Sequence, residues 1–189
     1  MFRGSRKVLA AVSGGPDSVA LLLLLLDLRE RFGFEVVAVH FDHQLRPNSR
    51  RDLEWVRDLC GGLGVPFFSG EGDVALAAAE QGAGIEDAAR RMRYGFLAFV
   101  AGKEAADTIA TGHTADDQVE TVLMRIIRGS GVRGIRGMLP VGEVPGGRGA
   151  QRLVRPLLEL RRADTLAICQ AAGVAPLHDP SNDDPRYTR

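Results

Sequence analysis

Short apolar runs alternate with longer amphipathic segments along this chain of 189 residues. The runs are rich in valine and alanine and apolar on both faces, which is typical of strands buried in a parallel sheet. They predict five strands, at Lys7–Val12, Glu35–Phe41, Val65–Ser69, Asp107–Thr111 and Leu153–Leu158. Helices are predicted between and after them, at Asp17–Arg31, Asn48–Leu63, Val74–Gln81, Ile85–Ala101, Ala115–Arg128 and Arg162–Ala172.

This alternation predicts an α/β fold with a doubly wound, mainly parallel five-stranded sheet and helices on both faces. In such folds ligands bind beyond the carboxyl ends of the strands. Ser13, Asp42 and the pair Gly112-His113 each follow a predicted strand, so we expect them on one rim of the sheet. Residues 129–149 contain eight glycines and two prolines and are predicted to form a long loop on that rim.

Composition is that of one globular domain over residues 1–189, with 45% hydrophobic and 25% charged residues and a net charge of zero. Positive charge is concentrated locally, because residues 125–155 hold seven arginines and a single acid, Glu143. Cys60 and Cys169 form no C-x-x-C and are predicted to be buried apolar residues. The leucine run 21–26 is too short to span a membrane, and no targeting segment is apparent, so a cytoplasmic location is expected.

The stretch Ser13-Gly14-Gly15-Pro16-Asp17-Ser18 lies between the first strand and the first helix. Glycines let backbone N–H groups turn inward, the hydroxyl groups can donate to phosphate oxygens, and a helix N-terminus favours an anion. The stretch is neither a Walker A loop nor a dinucleotide-binding fingerprint. Its lack of lysine suits a pyrophosphate leaving group better than a transferred γ-phosphate. The alternative is an ordinary turn in which Asp17 begins the helix.

A second group of polar residues follows the fourth strand. Thr114 can cap the helix that begins there, with Asp117 completing a capping box. Asp117 and Glu120 also form a carboxylate pair on one helical face, which could bind an ammonium group. Both interpretations remain open from sequence. His40 and Asp42 follow the second strand and are either site residues or ordinary polar residues at a strand end.

The stretch S-G-G-P-D-S resembles the signature of the PP-loop ATP pyrophosphatases, which have an adenine nucleotide alpha hydrolase-like fold. These enzymes cleave ATP between its α and β phosphates and activate a carbonyl oxygen as an adenylate. The resemblance implies ATP and Mg²⁺ as cofactors, with Asp17 contacting the metal. It implies an ATP site made by Ser13, Gly14, Gly15, Pro16, Asp17, Ser18, His40, Asp42, Gly112 and His113.

Further motifs resemble the tRNA(Ile)-lysidine synthetases, a family of PP-loop enzymes. They are H-F-D-H-Q-L-R from 40, I-E-D-A-A-R-R-M-R-Y from 85, G-H-T-A-D-D-Q-V-E-T from 112, R-G-S-G from 128, R-P-L-L from 155 and D-P-S-N from 179. Together they cover nearly the whole chain in order. The resemblance implies ligation of free L-lysine to C2 of the wobble cytidine of the tRNA(Ile) with a CAU anticodon. An adenylated cytidine is the intermediate, and lysidine, AMP and pyrophosphate are the products.

By the same resemblance, Asp17, Arg93, Asp117 and Glu120 are the expected catalytic residues, and Asp117, Glu120 and Arg93 bind lysine. Arg128, Arg133, Arg136 and Arg155 are the expected tRNA contacts. Downstream tRNA-binding domains are expected to be absent from this chain, and a homodimer is a possible assembly. Two alternatives remain: another PP-loop enzyme such as a tRNA 2-thiocytidine synthetase, against which the missing C-x-x-C argues, and a non-catalytic adenine-nucleotide-binding module.

Overall fold

The computed structural model describes residues 1–45, 49–131, 136–147 and 151–177. Within these ranges the chain forms six strands and six helices. In chain order they are β1 (Lys7–Ala11), α1 (Pro16–Phe32), β2 (Glu35–Asp42), α2 (Ser49–Gly62), β3 (Phe67–Glu71), α3 (Val74–Gln81), α4 (Ile85–Lys103), β4 (Thr108–Ala110), α5 (Ala115–Ile127), β5 (Val141–Glu143), β6 (Arg152–Val154) and α6 (Arg162–Ala171).

The strands form one sheet in the order β3-β2-β1-β4-β6-β5, parallel except for β5, which runs antiparallel to β6. The predicted doubly wound, mainly parallel sheet is confirmed. β5 is a correction, because it lies inside the segment predicted to be a loop. Three residues among glycines and prolines give too short a pattern for a strand to be read from sequence. β6 is also shorter than predicted and ends at Val154.

Hydrophobic residues from alternate strand positions pack against helices on both faces of the sheet. On one face Leu21, Leu22 and Leu25 of α1 pack with Val56 and Cys60 of α2. On the other face α4 packs through Tyr94, Leu97 and Val100. The leucine run of α1 is therefore core, as its composition indicates. α6 packs against α1 in a smaller cluster that contains Cys169.

Local sequence explains where the helices begin and end. Pro16 occupies the first turn of α1, where its missing N–H is not needed, and Gly33 ends the helix with φ of 70°. Asp73 caps α3 by accepting from the Leu76 N–H at 2.8 Å. α2 begins at Ser49, and Asn48, the first residue of the predicted helix, lies outside the described residues.

The direction in which the chain adds strands reverses between β1 and β4. β2 and β3 lie on one side of β1, whereas β4, β6 and β5 lie on the other. A crevice therefore opens between the carboxyl ends of β1 and β4, the place where open α/β sheets bind ligands. Ser13 follows β1 and Gly112 follows β4, so the sheet order brings these two motifs to the same crevice.

Helix α5 leaves much of its apolar face exposed. Its apolar positions are at helical spacing, yet Val119 is 60% exposed and Ile127 is 78% exposed. The helix is attached through its first turn and through polar side chains described below. A homodimer stays a prediction. Among the described residues, no helix is both long and apolar enough to cross a membrane.

Candidate active site

The turn after β1 is organised around the hydroxyl of Ser18. This hydroxyl accepts from the Ser13 N–H at 3.0 Å and the Gly14 N–H at 3.2 Å, and it donates to the Gly15 carbonyl at 2.9 Å. Ser18 is buried, whereas Ser13 is exposed. Ser18 therefore holds the turn in shape, and of the two hydroxyl groups Ser13 is the one that faces solvent at the crevice.

Two glycines allow the backbone to pack closely at this turn. Gly14 has φ of +96°, and a Cβ atom there would lie 2.5 Å from Leu177 Cδ1. A Cβ atom on Gly112 would lie 2.9 Å from the Asp17 carbonyl oxygen. Only glycine fits at these positions without displacement of the neighbouring atoms. The segment after β4 thus packs directly against the first turn of α1.

Asp17 faces helix α6 in this structure. Its Oδ1 accepts from the Thr165 hydroxyl at 2.6 Å, and its Oδ2 lies 3.5 Å from the Nε of Arg162. Among the described residues, no group of three His, Cys, Asp or Glu side chains could hold a metal ion. The prediction that Asp17 contacts magnesium stays a prediction.

His40 and Asp42 lie at the end of β2, as predicted, and both are buried. His40 Nδ1 donates to the Val12 carbonyl at 2.8 Å, since a carbonyl can only accept. Burial lowers the pKa of His40 below its ordinary value. A neutral His40 therefore carries its proton on Nδ1 and keeps Nε2 as an acceptor. Asp42 accepts from the Gln44 N–H at 2.8 Å and shapes the turn that follows.

His113 is the point on the rim where several charged residues come together. Its Nδ1 lies 2.8 Å from the Thr111 hydroxyl oxygen. Burial and the nearby positive charge of Arg155 lower the pKa of His113 to about 4, with Arg93 and Arg90 acting in the same direction. Asp117 acts in the opposite direction. His113 is therefore uncharged at neutral pH, although it lies beside several arginines and a carboxylate.

The carboxylate of Asp117 forms the predicted capping box at the start of α5. Its Oδ2 accepts from the Thr114 N–H at 2.8 Å and from the Thr114 hydroxyl at 3.1 Å. Glu120 follows three residues later on the same helix, and both residues are partly exposed. Both capping hydrogen bonds use Oδ2 of Asp117. The geometry is therefore compatible with the second interpretation as well, in which Asp117 and Glu120 bind an ammonium group.

Arg93 and Arg90 extend from α4 toward the same rim. Both guanidinium groups lie over the ring of Tyr94, at 5.4 Å and 5.1 Å from its centroid. Burial lowers the pKa of Arg93 below its ordinary value. A partly buried guanidinium with a fixed orientation is suited to binding a carboxylate or phosphate.

A contact missed from sequence joins α5 to the arginine-rich segment. The side-chain amide of Gln118 donates to the Met138 carbonyl at 2.8 Å and accepts from the Met138 N–H at 2.5 Å. Arg125 donates to the Arg136 carbonyl, and Arg155 Nη1 donates to the Leu139 carbonyl at 2.7 Å. The only feature of the sequence that drew attention to Gln118 was its position between Asp117 and Glu120. That position did not indicate Met138 as its hydrogen-bond partner.

The four predicted tRNA contacts have different surroundings. Arg155 is buried, whereas Arg128 and Arg136 are exposed. Arg133 lies outside the described residues, as does the D-P-S-N motif from 179. Arg152, another arginine of the basic segment, donates to Ser5 Oγ at 2.9 Å. It pairs with Thr108 at the amino end of β4 and so lies on the edge opposite the site.

Comparison with known proteins identifies the family to which this geometry belongs. Residues 2–189 match the family described as a PP-loop domain. The chain belongs to the PP-loop family. It is 42% identical over 178 residues to a tRNA(Ile)-lysidine synthase from Dehalococcoides mccartyi, which covers 93% of the chain and 38% of that protein. A tRNA(Ile)-lysidine synthase from Novosphingobium aromaticivorans is 43% identical, with coverage of 98% of the chain and 54% of that protein.

Two solved structures share the fold at low sequence identity. The U34-tRNA thiolase NcsA from Methanococcus maripaludis superposes with a TM-score of 0.77 at 18% identity, over 100% of this chain and 63% of that chain. An NH3-dependent NAD synthetase from Campylobacter jejuni gives a TM-score of 0.56 at 15% identity, over 95% of this chain and 72% of that one. The two curated relatives are longer, and the chain spans about half of their length or less.

The cysteines of this PP-loop chain are buried, as predicted. Cys60 lies on the buried face of α2, and burial raises the pKa of its thiol to about 11. Cys169 lies in α6 against α1, and burial raises its pKa as well. Both thiols therefore stay protonated at neutral pH, which makes them poor nucleophiles.

Proposed function

We propose that this chain catalyses the ATP-dependent ligation of free L-lysine to C2 of the wobble cytidine of the tRNA(Ile) with a CAU anticodon. The observation that carries the proposal is the set of charged groups around His113. Asp117, Arg93 and Arg155 all act on this residue, and Gly112 beside it packs against the first turn of α1, directly after the S-G-G stretch. A nucleotide site and a site for a zwitterionic amino acid would thus meet at one crevice. The curated relatives named tRNA(Ile)-lysidine synthase support the substrate assignment.

ATP would bind at the turn formed by Ser13, Gly14, Gly15 and Pro16, with its phosphates at the N-terminus of α1. A helix N-terminus after a glycine-rich turn favours phosphate through its N–H groups and dipole. His40, Asp42, Gly112 and His113 would complete the ATP site at the ends of β2 and β4. Ser18 would act from beneath by holding the turn.

Magnesium would neutralise phosphate charge and would be held mainly by phosphate oxygens, as this ion commonly is. Asp17 supplies a carboxylate in the first turn of α1, directly after the turn. Thr165 and Arg162 now contact that carboxylate, so a cation there would compete with the Arg162 guanidinium. Asp17 would therefore be a single protein ligand to a magnesium ion held mainly by phosphate oxygens.

Lysine would be recognised at both of its charged ends. Asp117 and Glu120 would bind the ε-ammonium, and Arg93 would bind the carboxylate. Because His113 is uncharged at neutral pH, it adds no repulsion against a cationic substrate. An uncharged histidine makes it easier for an ammonium group to approach a rim that already holds several arginines.

The reaction would take place in two steps at this crevice. O2 of the cytidine attacks the α-phosphorus of ATP, and pyrophosphate leaves. The lysine ε-amine then attacks C2 of the adenylated cytidine, and AMP leaves with the former O2. The amine must lose a proton for this attack. Asp117 or Glu120 would accept it, because their carboxylates would contact the ammonium group that loses the proton.

tRNA would be bound through phosphate contacts from Arg128, Arg133, Arg136 and Arg155. Single-stranded anticodon bases can be splayed out of a loop and received in a pocket, which suits reaction at a wobble base. Cationic contacts of this kind make binding strongly dependent on salt.

The proposal is tested by incubating the protein, with whatever further domains its gene encodes, with ATP, Mg²⁺, labelled lysine and the tRNA. Label should enter the tRNA, with one AMP and one pyrophosphate formed for each lysine. Asp117→Ala should lower the rate about 100-fold, because removing one partner of a charge pair costs several kcal/mol. Glu120→Gln should lower it in the same direction.

Asp164→Ala is the matched control, because Asp164 caps α6 as Asp117 caps α5. Asp164 Oδ2 accepts from the Arg161 N–H at 2.8 Å, as Asp117 Oδ2 does from Thr114. The control separates a lost cap from a lost substrate contact. Equal activities of the two variants would refute the site assignment. Wild-type protein that labels no tRNA would refute the function. Sulfur transfer to the tRNA, in a parallel incubation with a sulfur donor in place of lysine, would establish the thiolation alternative.

A further inference from the structure

A cavity of about 340 Å³ lies beside the crevice, between α4, α5 and the arginine-rich segment. Four arginines line it, Arg90 from α4, Arg125 from α5, Arg136, and Arg155 after β6. One carboxylate, Glu143 of β5, lies among them. Four guanidinium groups against a single carboxylate leave an excess of positive charge on the lining.

Arg155 carries an N–H donor for which the described part of the protein supplies no hydrogen-bond acceptor. Its side chain is only 8% exposed, and Nη1 donates to the Leu139 carbonyl. Its Nε is buried and has no hydrogen-bond partner in the described part of the chain. A buried donor without a partner costs free energy, so its presence points to an acceptor that arrives with a ligand.

The wall of the cavity is held in place before any ligand binds. Gln118 makes two hydrogen bonds to the backbone of Met138, and Arg125 donates to the Arg136 carbonyl. The contact from Arg125 is to backbone, so the guanidinium group of Arg136 is not needed for it. Preorganised walls favour a specific site over a nonspecific basic surface.

The cavity is also close to the proposed reaction centre. Two of its arginines, Arg155 and Arg90, are among the charges that act on His113. It lies on the β6 and β5 side of β4, whereas the S-G-G turn lies after β1. An anion in the cavity would therefore be adjacent to the nucleotide site but outside the turn itself.

We propose that this cavity binds a backbone phosphodiester of the RNA substrate, next to the nucleotide whose base enters the crevice. The inference rests on the proposed function and deepens it, and it assigns Arg90 and Arg125 to RNA binding. Guanidinium groups match phosphate oxygens in bidentate geometry, and several of them suit a polyanion. Phosphates flank each nucleotide, so a base at the rim places its own backbone within reach of this cavity.

Arg136→Gln and Arg90→Gln test the proposal, because both side chains are exposed and lie on different elements. In filter binding at a series of KCl concentrations, each change should weaken binding of the tRNA(Ile) transcript about 10-fold. The slope of log K against log salt should fall by about 0.7 for each lost contact to a single strand. The KM for ATP should stay unchanged.

Arg136→Lys and Arg6→Gln are the controls. Lysine keeps the charge but not the bidentate geometry, so it should restore the salt slope and only part of the binding. Arg6 directly precedes β1, at the amino ends of the parallel strands and away from the crevice, and its side chain is 89% exposed, so its loss should change neither quantity.

The outcomes separate this inference from the proposed function. Unchanged tRNA affinity in both glutamine variants, with lysine transfer intact in the wild type, would refute the cavity assignment alone. A raised KM for ATP with unchanged tRNA affinity would also refute it, because the cavity would then serve the phosphates of ATP. The expected loss of affinity in a protein that transfers no lysine would support the cavity and refute the lysidine function.

Discussion

Gln118 and Met138 are joined by two hydrogen bonds, from the side-chain amide of the first to the backbone N–H and carbonyl of the second. Gln118 lies on α5 between Asp117 and Glu120, and Met138 lies in the arginine-rich segment. The helix that carries the proposed lysine-binding carboxylates and the segment that carries the proposed tRNA contacts are thus held in one geometry. We infer that this contact positions the two substrates relative to each other.

Gln118→Ala is expected to remove the hydrogen bonds that hold α5 to the segment that contains Met138. It should lower the free energy of unfolding by about 1–3 kcal/mol, the usual cost of leaving partly buried polar groups unpaired. The KM for tRNA should rise and the KM for ATP should stay near the wild-type value, in steady-state assays of lysine transfer. Gln118→Glu keeps the acceptor but loses the donor and should be intermediate. Gln170→Ala, an exposed glutamine on α6, should change neither constant.

Gly137 supplies a second check on the same contact. A Cβ atom on Gly137 would lie 2.6 Å from Gln118 Oε1, so Gly137→Ala alone should displace the amide. In the Gln118→Ala background that clash is gone, and the second substitution should cost less than it does alone. Strictly additive effects on the KM for tRNA would contradict the proposed positioning role.

Gly112→Ala should disrupt the packing of the β4 rim on the nucleotide turn. Its Cβ atom would meet the Asp17 carbonyl oxygen at 2.9 Å and the Asp17 carbonyl carbon at 3.0 Å, and backbone atoms cannot rotate away. We expect a loss of about 1–3 kcal/mol of stability, measured by urea unfolding, and a higher KM for ATP.

Gly95→Ala provides the matched control for that substitution. Gly95 lies inside α4, and no neighbouring atom approaches within 4 Å of its added Cβ. Alanine there should stabilise the protein by about 0.5–1 kcal/mol, since it removes a helix-interior glycine. If Gly112→Ala were as well tolerated as Gly95→Ala, the close approach would have no role in holding the turn.

Much of the fold could be predicted because hydrophobic periodicity and turn residues agree along most of the chain. The five expected strands and six expected helices are present, with ends that differ by a few residues. β5 was missed because Val141–Glu143 has too few residues to show a period. The exposure of Val119 and Ile127 was missed because an amphipathic pattern shows that a face is apolar and does not show what covers it.

For the candidate site residues, the sequence predicted their places in the fold but not their contacts. Sequence order placed Ser13, Asp42 and His113 at the ends of strands, and the topology brings the β1 and β4 ends together. The partners of Asp17 on α6 and of Gln118 on the 136–147 segment depend on contacts between residues far apart in the chain. No local sequence pattern encodes contacts between such distant residues. Asp17, which was expected to face a ligand, is therefore found also to hold α6 against α1.

His113 should make the stability of the protein depend on pH in a defined window. Burial and the charge of Arg155 lower its pKa to about 4, whereas an unfolded chain has an ordinary histidine value near 6.5. Between those values the unfolded state binds more protons, so the free energy of unfolding should rise with pH from about 4 to 6.5 and be flat above. Urea unfolding at pH 4.5 and 7.5 should show a loss at the lower pH that is about 2–3 kcal/mol larger in the wild type than in His113→Asn. The buried His40 contributes in the same direction in both proteins and cancels in the comparison. Equal losses would mean that folding does not lower the pKa of His113, which would contradict its burial beside Arg155.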